Sequence, residues 1–157
     1  MILFHGTNID FDEIDLAKSR PNKDFGQGFY LTADKDQAAR MAEQKVLQTG
    51  GDSAVISYHF DESVLQEQTL NIKLFDNYSE EWAAFILLNR SRRTKEKQHS
   101  YDIVVGPIAN DKVGVQLFRY MRDYIDLPTL VRKLQYIQIT TQYYFGTERA
   151  IKLLHRL

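Results

Sequence analysis

The sequence predicts an α+β fold in a single domain that covers residues 1–157. Short apolar stretches typical of strands and longer stretches with helical periodicity follow one another, without the regular strand–helix–strand alternation of a parallel sheet. The length is that of one domain with a full hydrophobic core. With 43% hydrophobic and 26% charged residues, the composition is that of a folded chain and not of a disordered one.

The first half of the chain is predicted to contain four strands and one long helix. Apolar runs bounded by polar residues predict strands at 2–5, 29–31, 55–60 and 70–75. Between the second and third strands, apolar residues recur at helical spacing over residues 35–47, and the following Gly50 and Gly51 are typical of a helix end. The polar and acidic passage 8–24 is expected to form loops or short helices over a functional site.

The second half is predicted to contain four helices and two strands. Ser79 before Glu80 and Glu81 is typical of a capped helix start, and that helix is expected to end near Asn89. Thr147 is the expected cap of the last helix. The other predicted elements are a strand at 101–105, helices at 112–125 and 128–135, a strand at 140–145, and the last helix, running to residue 154.

Composition excludes several classes of site. The chain has no cysteine, so disulfides, thiolate metal sites and cysteine nucleophiles are excluded. His59, His99 and His155 are each isolated from other ligands, and no metal site is predicted. The net charge of −1 does not match a nucleic-acid-binding protein as a whole. No apolar run approaches a membrane span and no signal-peptide pattern opens the chain, so we expect a cytoplasmic protein with no membrane partner.

Two short motifs near the N-terminus predict the functional site. The first, LFHGT at residues 3–7, ends a strand with an imidazole, a glycine and a hydroxyl. The second, FGQGFYLTAD at residues 25–34, leads from two glycines into an aromatic pair. A glycine lets a flat ligand approach the backbone, whose N–H and C=O groups can bind a carboxamide, and Tyr30 offers a stacking face. The motifs together predict a nicotinamide pocket.

At these residues the chain resembles the ADP-ribosyltransferases of the diphtheria-toxin and poly(ADP-ribose) polymerase branch. Over nearly its full length it also resembles DUF3990, a small bacterial family of unknown function placed beside that branch. The second likeness extends through residues 20–26, 79–82, 101–107 and 147–150. The resemblance implies an ADP-ribosyltransferase-like mixed sheet with flanking helices, and NAD as co-substrate.

The resemblance also implies roles for individual residues. His5 would hydrogen-bond a ribose of the dinucleotide, the Gly6 backbone would hold the carboxamide, Thr7 would add a hydroxyl, and Tyr30 would stack on the nicotinamide ring. Met41 stands where the large enzymes have a second aromatic residue, and a thioether defines the shape of the pocket less sharply. Taken singly, His5 is better explained as a strand-end histidine bonded to backbone, and Tyr30 as a core aromatic residue. Their order in the chain and the neighbouring glycines favour the site.

The resemblance implies that Gln142 stands where the large enzymes have the catalytic glutamate. Its amide can bond a ribose hydroxyl but carries no negative charge. Glu148, six residues later, is a second candidate for the acid, although a first-turn glutamate also favours the helix dipole. Arg20 and Lys23 are expected to bind the pyrophosphate, and Gly28 completes the predicted cofactor-binding residues.

The leading functional hypothesis is an NAD-dependent mono-ADP-ribosyltransferase that modifies a protein, RNA or small-molecule acceptor. Small size and family analogy suggest a bacterial toxin, the toxin of a toxin–antitoxin pair with an antitoxin as partner, or a phage-defence factor. The alternative is a catalytically silent module that binds NAD or ADP-ribose. A third hypothesis is nucleic-acid binding through the basic run 90–97, for which a solvated loop is the simpler interpretation.

Overall fold

The chain folds around one curled seven-stranded sheet with helices packed on it. The computed structural model describes all residues, Met1–Leu157. The strands are β1 (Ile2–Thr7), β2 (Phe29–Thr32), β3 (Ala54–His59), β4 (Ile72–Leu74), β5 (Ile103–Pro107), β6 (Thr141–Phe145) and β7 (His155–Arg156). The α-helices are α1 (Lys35–Thr49), α2 (Glu80–Arg90), α3 (Asp111–Met121), α4 (Leu127–Leu134) and α5 (Glu148–Ile151).

The strand order in the sheet is β4-β5-β6-β2-β1-β3-β7. Only β4 and β5 pair in parallel, and α2 lies in the connection between them. All other neighbouring strands are antiparallel. The α+β class predicted from the irregular order of elements is therefore confirmed. The predicted strands and helices form within a few residues of their expected bounds, apart from the two helix ends described next.

Two helices end earlier than predicted. The third helix was expected to reach residue 125 but ends at Met121, because Asp123 adopts a left-handed backbone conformation with φ 59° that an α-helix does not contain. The last helix was expected to reach residue 154 but ends at Ile151. The chain then turns, and residues 155–156 pair with β3 as the edge strand β7, which the sequence did not predict.

Two hydrophobic clusters lie on opposite faces of the sheet, since successive strand side chains point to opposite sides. On one face, Val104 and Tyr144 pack against α2, α3 and α4, whose contributions include the fully buried Trp82. On the other, Ile103 and Phe145 pack in a second cluster with buried residues of β1, β3 and α5. The helices and the C-terminal segment thus enclose the sheet from both sides.

Tyr144 fixes the central strands by filling space that two glycines leave open. Its buried ring donates a hydrogen bond from the hydroxyl to the Gln27 carbonyl over 2.9 Å. A Cβ on Gly28 would lie 2.1 Å from the ring, and a Cβ on Gly146 would lie 2.3 Å from the hydroxyl. Gly28, predicted to contact a cofactor, is therefore required for this packing whether or not a ligand binds.

Asp102 joins the start of β5 to α5. The carboxylate is 1% exposed and accepts hydrogen bonds from the Asn71 amide, the Thr147 hydroxyl and the Arg149 guanidinium. Burial alone would raise the pKa of Asp102, but these donors outweigh it and lower the pKa to about 2. Asp102, Thr147 and Arg149 lie in segments 101–107 and 147–150, which carry part of the likeness to DUF3990. The structural role of these three residues accounts for the likeness in those two segments.

We expect Gly28→Ala to lower the free energy of unfolding by at least about 2 kcal/mol, because the added methyl overlaps the Tyr144 ring. Gly114→Ala is the matched control. A Cβ at Gly114, inside α3, meets nothing within 4 Å, and this change should raise stability by about 1 kcal/mol. Urea denaturation measures both changes. An unchanged midpoint for Gly28→Ala would show that the Tyr144 ring does not need the space that Gly28 leaves open.

Candidate functional site

The two motifs lie on the neighbouring strands β1 and β2, which pair over only a short distance. β1 and β2 pair at a single register position, Phe4 with Thr32, whereas β1 pairs with β3 along its whole length. Beyond that position His5 Nδ1 donates a hydrogen bond to the Tyr30 carbonyl over 2.8 Å. The imidazole therefore bonds a backbone acceptor that the shortened ladder leaves unpaired, and it connects the two strands across the gap.

His5 is held neutral, and one of its ring nitrogens acts as a hydrogen-bond acceptor. Its ring stacks on Phe29 with 4.5 Å between centroids and meets the edge of Phe11 at 5.8 Å. Burial, together with the charge of Lys45, lowers the pKa of His5 to about 4. Because Nδ1–H donates to a carbonyl, Nε2 carries the lone pair and can accept a hydrogen bond near neutral pH.

Tyr30 packs deeply and its hydroxyl is engaged. The ring lies against Phe25 and Tyr144, with centroid distances of 6.4 Å and 5.3 Å. The hydroxyl donates to the Gly26 carbonyl over 2.6 Å and accepts from the Phe25 amide over 3.0 Å, and burial raises the pKa of the phenol. Gly26 adopts φ 88°, a conformation that favours glycine. Tyr30 thus holds the turn that precedes β2.

His5 and Tyr30 meet through backbone and not ring to ring. His5 stacks on Phe29, and Tyr30 as the next residue of β2 points to the opposite face of the sheet. The predicted arrangement, with both rings lining one pocket, differs from this geometry. What links the two sides is Lys23, whose ammonium lies 5.0 Å from the centroid of the Tyr30 ring and whose charge helps to lower the pKa of His5.

Three basic side chains, here called the cation cluster (Arg20, Lys23 and Lys45), gather at this junction. Lys45 Nζ donates to the Gly6 carbonyl over 2.6 Å and lies 3.5 Å from His5 Nε2. Burial and the charge of Lys23 lower the pKa of Lys45 to about 8, and burial and the charge of Arg20 lower the pKa of Lys23. None of the three forms an ion pair. Cations that form no ion pair and lower one another's pKa are suited to a bound anion.

Lys45 was not predicted, although the sequence contains a signal for it. Ala38 and Ala42 are buried residues of α1 that face β1, and Lys45 follows them at helical spacing on the same face. A lysine in the buried stripe of an amphipathic helix is unusual, because its charge must leave water. This position in the stripe would have marked Lys45 as a candidate.

The other predicted ligand contacts of the first motif have structural roles. A Cβ on Gly6 would lie 1.9 Å from the Ala38 carbonyl oxygen, so glycine is required by the close packing of α1 on β1. The Thr7 hydroxyl donates to the Ile9 carbonyl over 2.9 Å and closes a local turn. Met41 lies on α1 and exposes 47% of its surface.

The buried Gln142 belongs to a polar cluster, here called the Asp24 node (Asp24, Arg90, Ala109 and Gln142). Gln142 Nε2 donates to Asp24 Oδ2 over 3.2 Å, and the Ala109 amide donates to the same oxygen over 3.2 Å. Arg90 Nε donates to Asp24 Oδ1 over 2.7 Å. The uncharged side chain at position 142 therefore lies directly beside a carboxylate, which sequence reasoning missed because residue 24 is 118 positions away.

The lone tryptophan borders this node. Trp82 Nε1 donates to the Pro107 carbonyl over 3.1 Å, and the same carbonyl lies 3.5 Å from Gln142 Nε2. The indole is fully buried. The end of β5 is thus fixed by one side chain from α2 and one from β6.

The remaining candidates lie apart from this site. Glu148 is exposed in the first turn of α5, beyond the end of β6 that is opposite to Gln142. In the basic run 90–97, Arg90 is bound to Asp24 and Lys97 Nζ donates to the Gly146 carbonyl over 2.7 Å. Two of its five cations are therefore engaged within the fold.

Histidine 99 is fully engaged in hydrogen bonds. His99 Nδ1 accepts from the Tyr101 amide over 3.1 Å, and Nε2 donates to the Phe25 carbonyl over 2.7 Å. Burial lowers the pKa of His99, which keeps this neutral tautomer. No group of three or more histidine or acidic side chains is placed to hold one metal ion. None of the helices combines the length and the apolar character needed to cross a bilayer.

Comparison with known proteins gives one match. The model of a family described as "Protein of unknown function (DUF3990)" matches residues 1–156. No curated protein and no solved structure matches the chain. The full-length likeness to DUF3990 expected from the sequence is therefore confirmed.

We expect His5 to make the fold sensitive to mild acid. The unfolded chain takes up a proton at the ordinary histidine pKa of 6.5, whereas folded His5 resists protonation down to about 4. Its contribution to stability is therefore complete above 6.5 and is lost as the pH falls toward 4. Between pH ~7 and ~5 this loss should be about 2 kcal/mol, and it should be absent from His5→Gln. Urea titrations of both proteins at the two pH values measure it; equal losses would contradict the assignment.

Proposed function

We propose, from the premise that this chain belongs to the DUF3990 family, that it is an NAD-dependent mono-ADP-ribosyltransferase acting on a protein, RNA or small-molecule acceptor. The observation that carries the proposal is the cation cluster beside a neutral His5 at the point where β1 and β2 separate. An ADP-ribosyltransferase-like arrangement of the sheet is part of the same proposal. It is supported by the order of the two motifs on adjacent strands.

The pyrophosphate of NAD suits the cation cluster. Arg20, Lys23 and Lys45 have no acidic partner in an ion pair, and mutual repulsion and burial already lower the pKa of both lysines. A phosphate would relieve that repulsion, and a hydrogen bond between charged groups contributes about 1.5–3 kcal/mol. With Lys45 turned toward the phosphate, His5 Nε2 would be free to accept from a ribose hydroxyl.

The proposed reaction places distinct demands on the site. The bond between the ribose C1′ and the nicotinamide nitrogen breaks, and its electron pair leaves with neutral nicotinamide. A nucleophile of the acceptor forms the new bond to C1′ and releases its proton to water. Positive charge develops on the sugar in between, so nearby carboxylate or amide oxygens stabilise the transition state. Gln142 and Asp24 are the candidates for that contribution.

A silent module that binds NAD or ADP-ribose is the second candidate function. The specific observation in its favour is the Asp24 node, since Gln142 is uncharged and the Asp24 charge is paired with Arg90. A carboxylate already neutralised by a guanidinium offers less stabilisation to a developing cation than a free one.

The two functions are separated by incubating the protein with labelled NAD and host lysate, followed by separate RNase and protease digestion of the product. We expect label transfer by the parent and its loss in His5→Ala and in Tyr30→Ala. Lys152→Met, an exposed change outside the site, is the control and should remain active. An inert parent that gains NAD cleavage as Gln142→Glu would instead support the silent module.

Binding of NAD should weaken as Lys45 loses its proton. Only the ammonium attracts the pyrophosphate, and the free protein has a Lys45 pKa of about 8. The affinity should therefore fall about tenfold between pH ~7 and ~9 by calorimetry, with the midpoint moved upward by the bound anion. Lys45→Arg should bind without this fall because a guanidinium stays charged.

Lys35→Met, a change of another lysine of α1, is the control for this titration and should behave as the parent does. A pH-independent affinity in the parent would show that Lys45 does not contact the ligand. Absence of any heat with NAD at neutral pH would falsify the proposed function as a whole.

A further inference from the structure

A groove on the outer side of α3 and α4 has no role in the proposed reaction. We call it the α3–α4 groove, and the residues that line it are Lys112, Val115, Gln116, Lys133, Tyr136 and Ile137. The inner sides of the two helices bury Val113, Leu117, Leu130 and Leu134 against the sheet. The groove therefore faces away from His5 and the Asp24 node.

The groove exposes apolar side chains to solvent. Val115 is 57% exposed and Tyr136 is 92% exposed. Further exposed apolar side chains follow along α3 and the turn after it, at Phe118, Met121 and Tyr124. Exposed apolar side chains that occur together, and not singly, typically mark an interaction site.

Gln116 provides an independent sign of a missing partner. Its Oε1 atom is covered by the chain and has no hydrogen-bond partner there, while the residue itself lines the groove. A buried amide oxygen without a donor costs free energy, and the great majority of such atoms in native proteins are paired. Turning the Gln116 side chain outward would expose this oxygen to an N–H or O–H group of a partner in the groove.

The charge of the groove indicates what kind of partner fits. Lys112 and Lys133 both line it, neither forms an ion pair, and none of its lining residues is acidic. Two lysines beside an apolar surface complement a partner that carries both carboxylates and apolar side chains.

We propose that the α3–α4 groove binds a segment of a partner protein in which acidic residues alternate with apolar ones. Its carboxylates pair with Lys112 and Lys133, its apolar side chains pack on Val115 and Tyr136, and one of its backbone amides donates to Gln116 Oε1 once that side chain turns outward. A peptide supplies all three at once.

Other anionic partners match fewer of these features. A phosphatidylcholine and phosphatidylserine surface offers phosphates and carboxylates to the lysines, but it has no repeated amide to enter the groove at Gln116. A single-stranded RNA would need a longer track of cations than two lysines provide. A second copy of the chain would bring the same two lysines to the interface, where like charges repel.

Selection from a displayed library of short random peptides tests the proposal. The parent protein is the target, and Lys112→Glu/Lys133→Glu is the counter-target. We expect enrichment of sequences with at least two acidic residues beside aliphatic or aromatic ones. By fluorescence anisotropy, the double reversal should weaken the best peptide by at least about tenfold. Lys95→Glu/Lys152→Glu, the same charge change at exposed lysines elsewhere, should leave the affinity unchanged.

Gln116→Met separates binding from stability. The thioether removes the unpaired oxygen, so the thermal midpoint of the free protein should rise, while the affinity for the selected peptide should fall several-fold. If Gln116 has a purely structural role, Gln116→Met should leave the peptide affinity unchanged, and the lysine reversals should weaken binding as much as they do in the parent. Loss of both stability and binding would overturn the assignment of its oxygen to the partner.

Several outcomes would sink the proposal. These are failure to enrich acidic peptides, equal binding by parent and double reversal, concentration-dependent dimerisation through this face, and lysine-dependent binding of anionic vesicles or oligouridine in place of the peptide. None of these measurements uses NAD, so failure here leaves the proposed transferase function intact, and the reverse also holds.

Discussion

One partly buried carboxylate, that of Asp24, ties together the parts of the molecule on which the candidate site depends. It lies in the loop before β2 and is bound by a guanidinium at the end of α2, a backbone amide after β5 and the amide side chain of Gln142 on β6. A charge in that position is stable only while it is paired. Because Phe25 and Gly26 follow directly and bond the Tyr30 hydroxyl, the turn into β2 is set by the same anchor.

A second anchor, His5, acts at the other side of that turn. The backbone pairing of β1 and β2 ends at Phe4 and Thr32. Beyond that pair, the hydrogen bond from His5 to the Tyr30 carbonyl connects the two strands. Neither Lys23 nor Lys45 forms an ion pair, although burial lowers the pKa of both. The fold thus leaves two lysines near His5 without a salt-bridge partner, and the proposed function places the dinucleotide there.

Local patterns were sufficient for most of the secondary structure and insufficient for the site. Runs of apolar residues and capping residues predicted the helices because these signals act within a few positions, as the Ser79 and Thr147 caps show. β7 was missed because two residues on a sheet edge carry no periodicity. Asp24 and Lys45 were missed because their roles arise from contacts with Gln142 and Gly6, which only the folded chain brings near.

The position of Trp82 gives the molecule a built-in optical reporter. The chain contains one tryptophan, and its indole N–H is bonded to the Pro107 carbonyl that also faces Gln142. Indole fluorescence shifts in wavelength with the polarity and hydrogen bonding around the ring. Emission excited at wavelengths that tyrosine does not absorb therefore comes from a single known place, and it follows changes at the end of β5 as they occur.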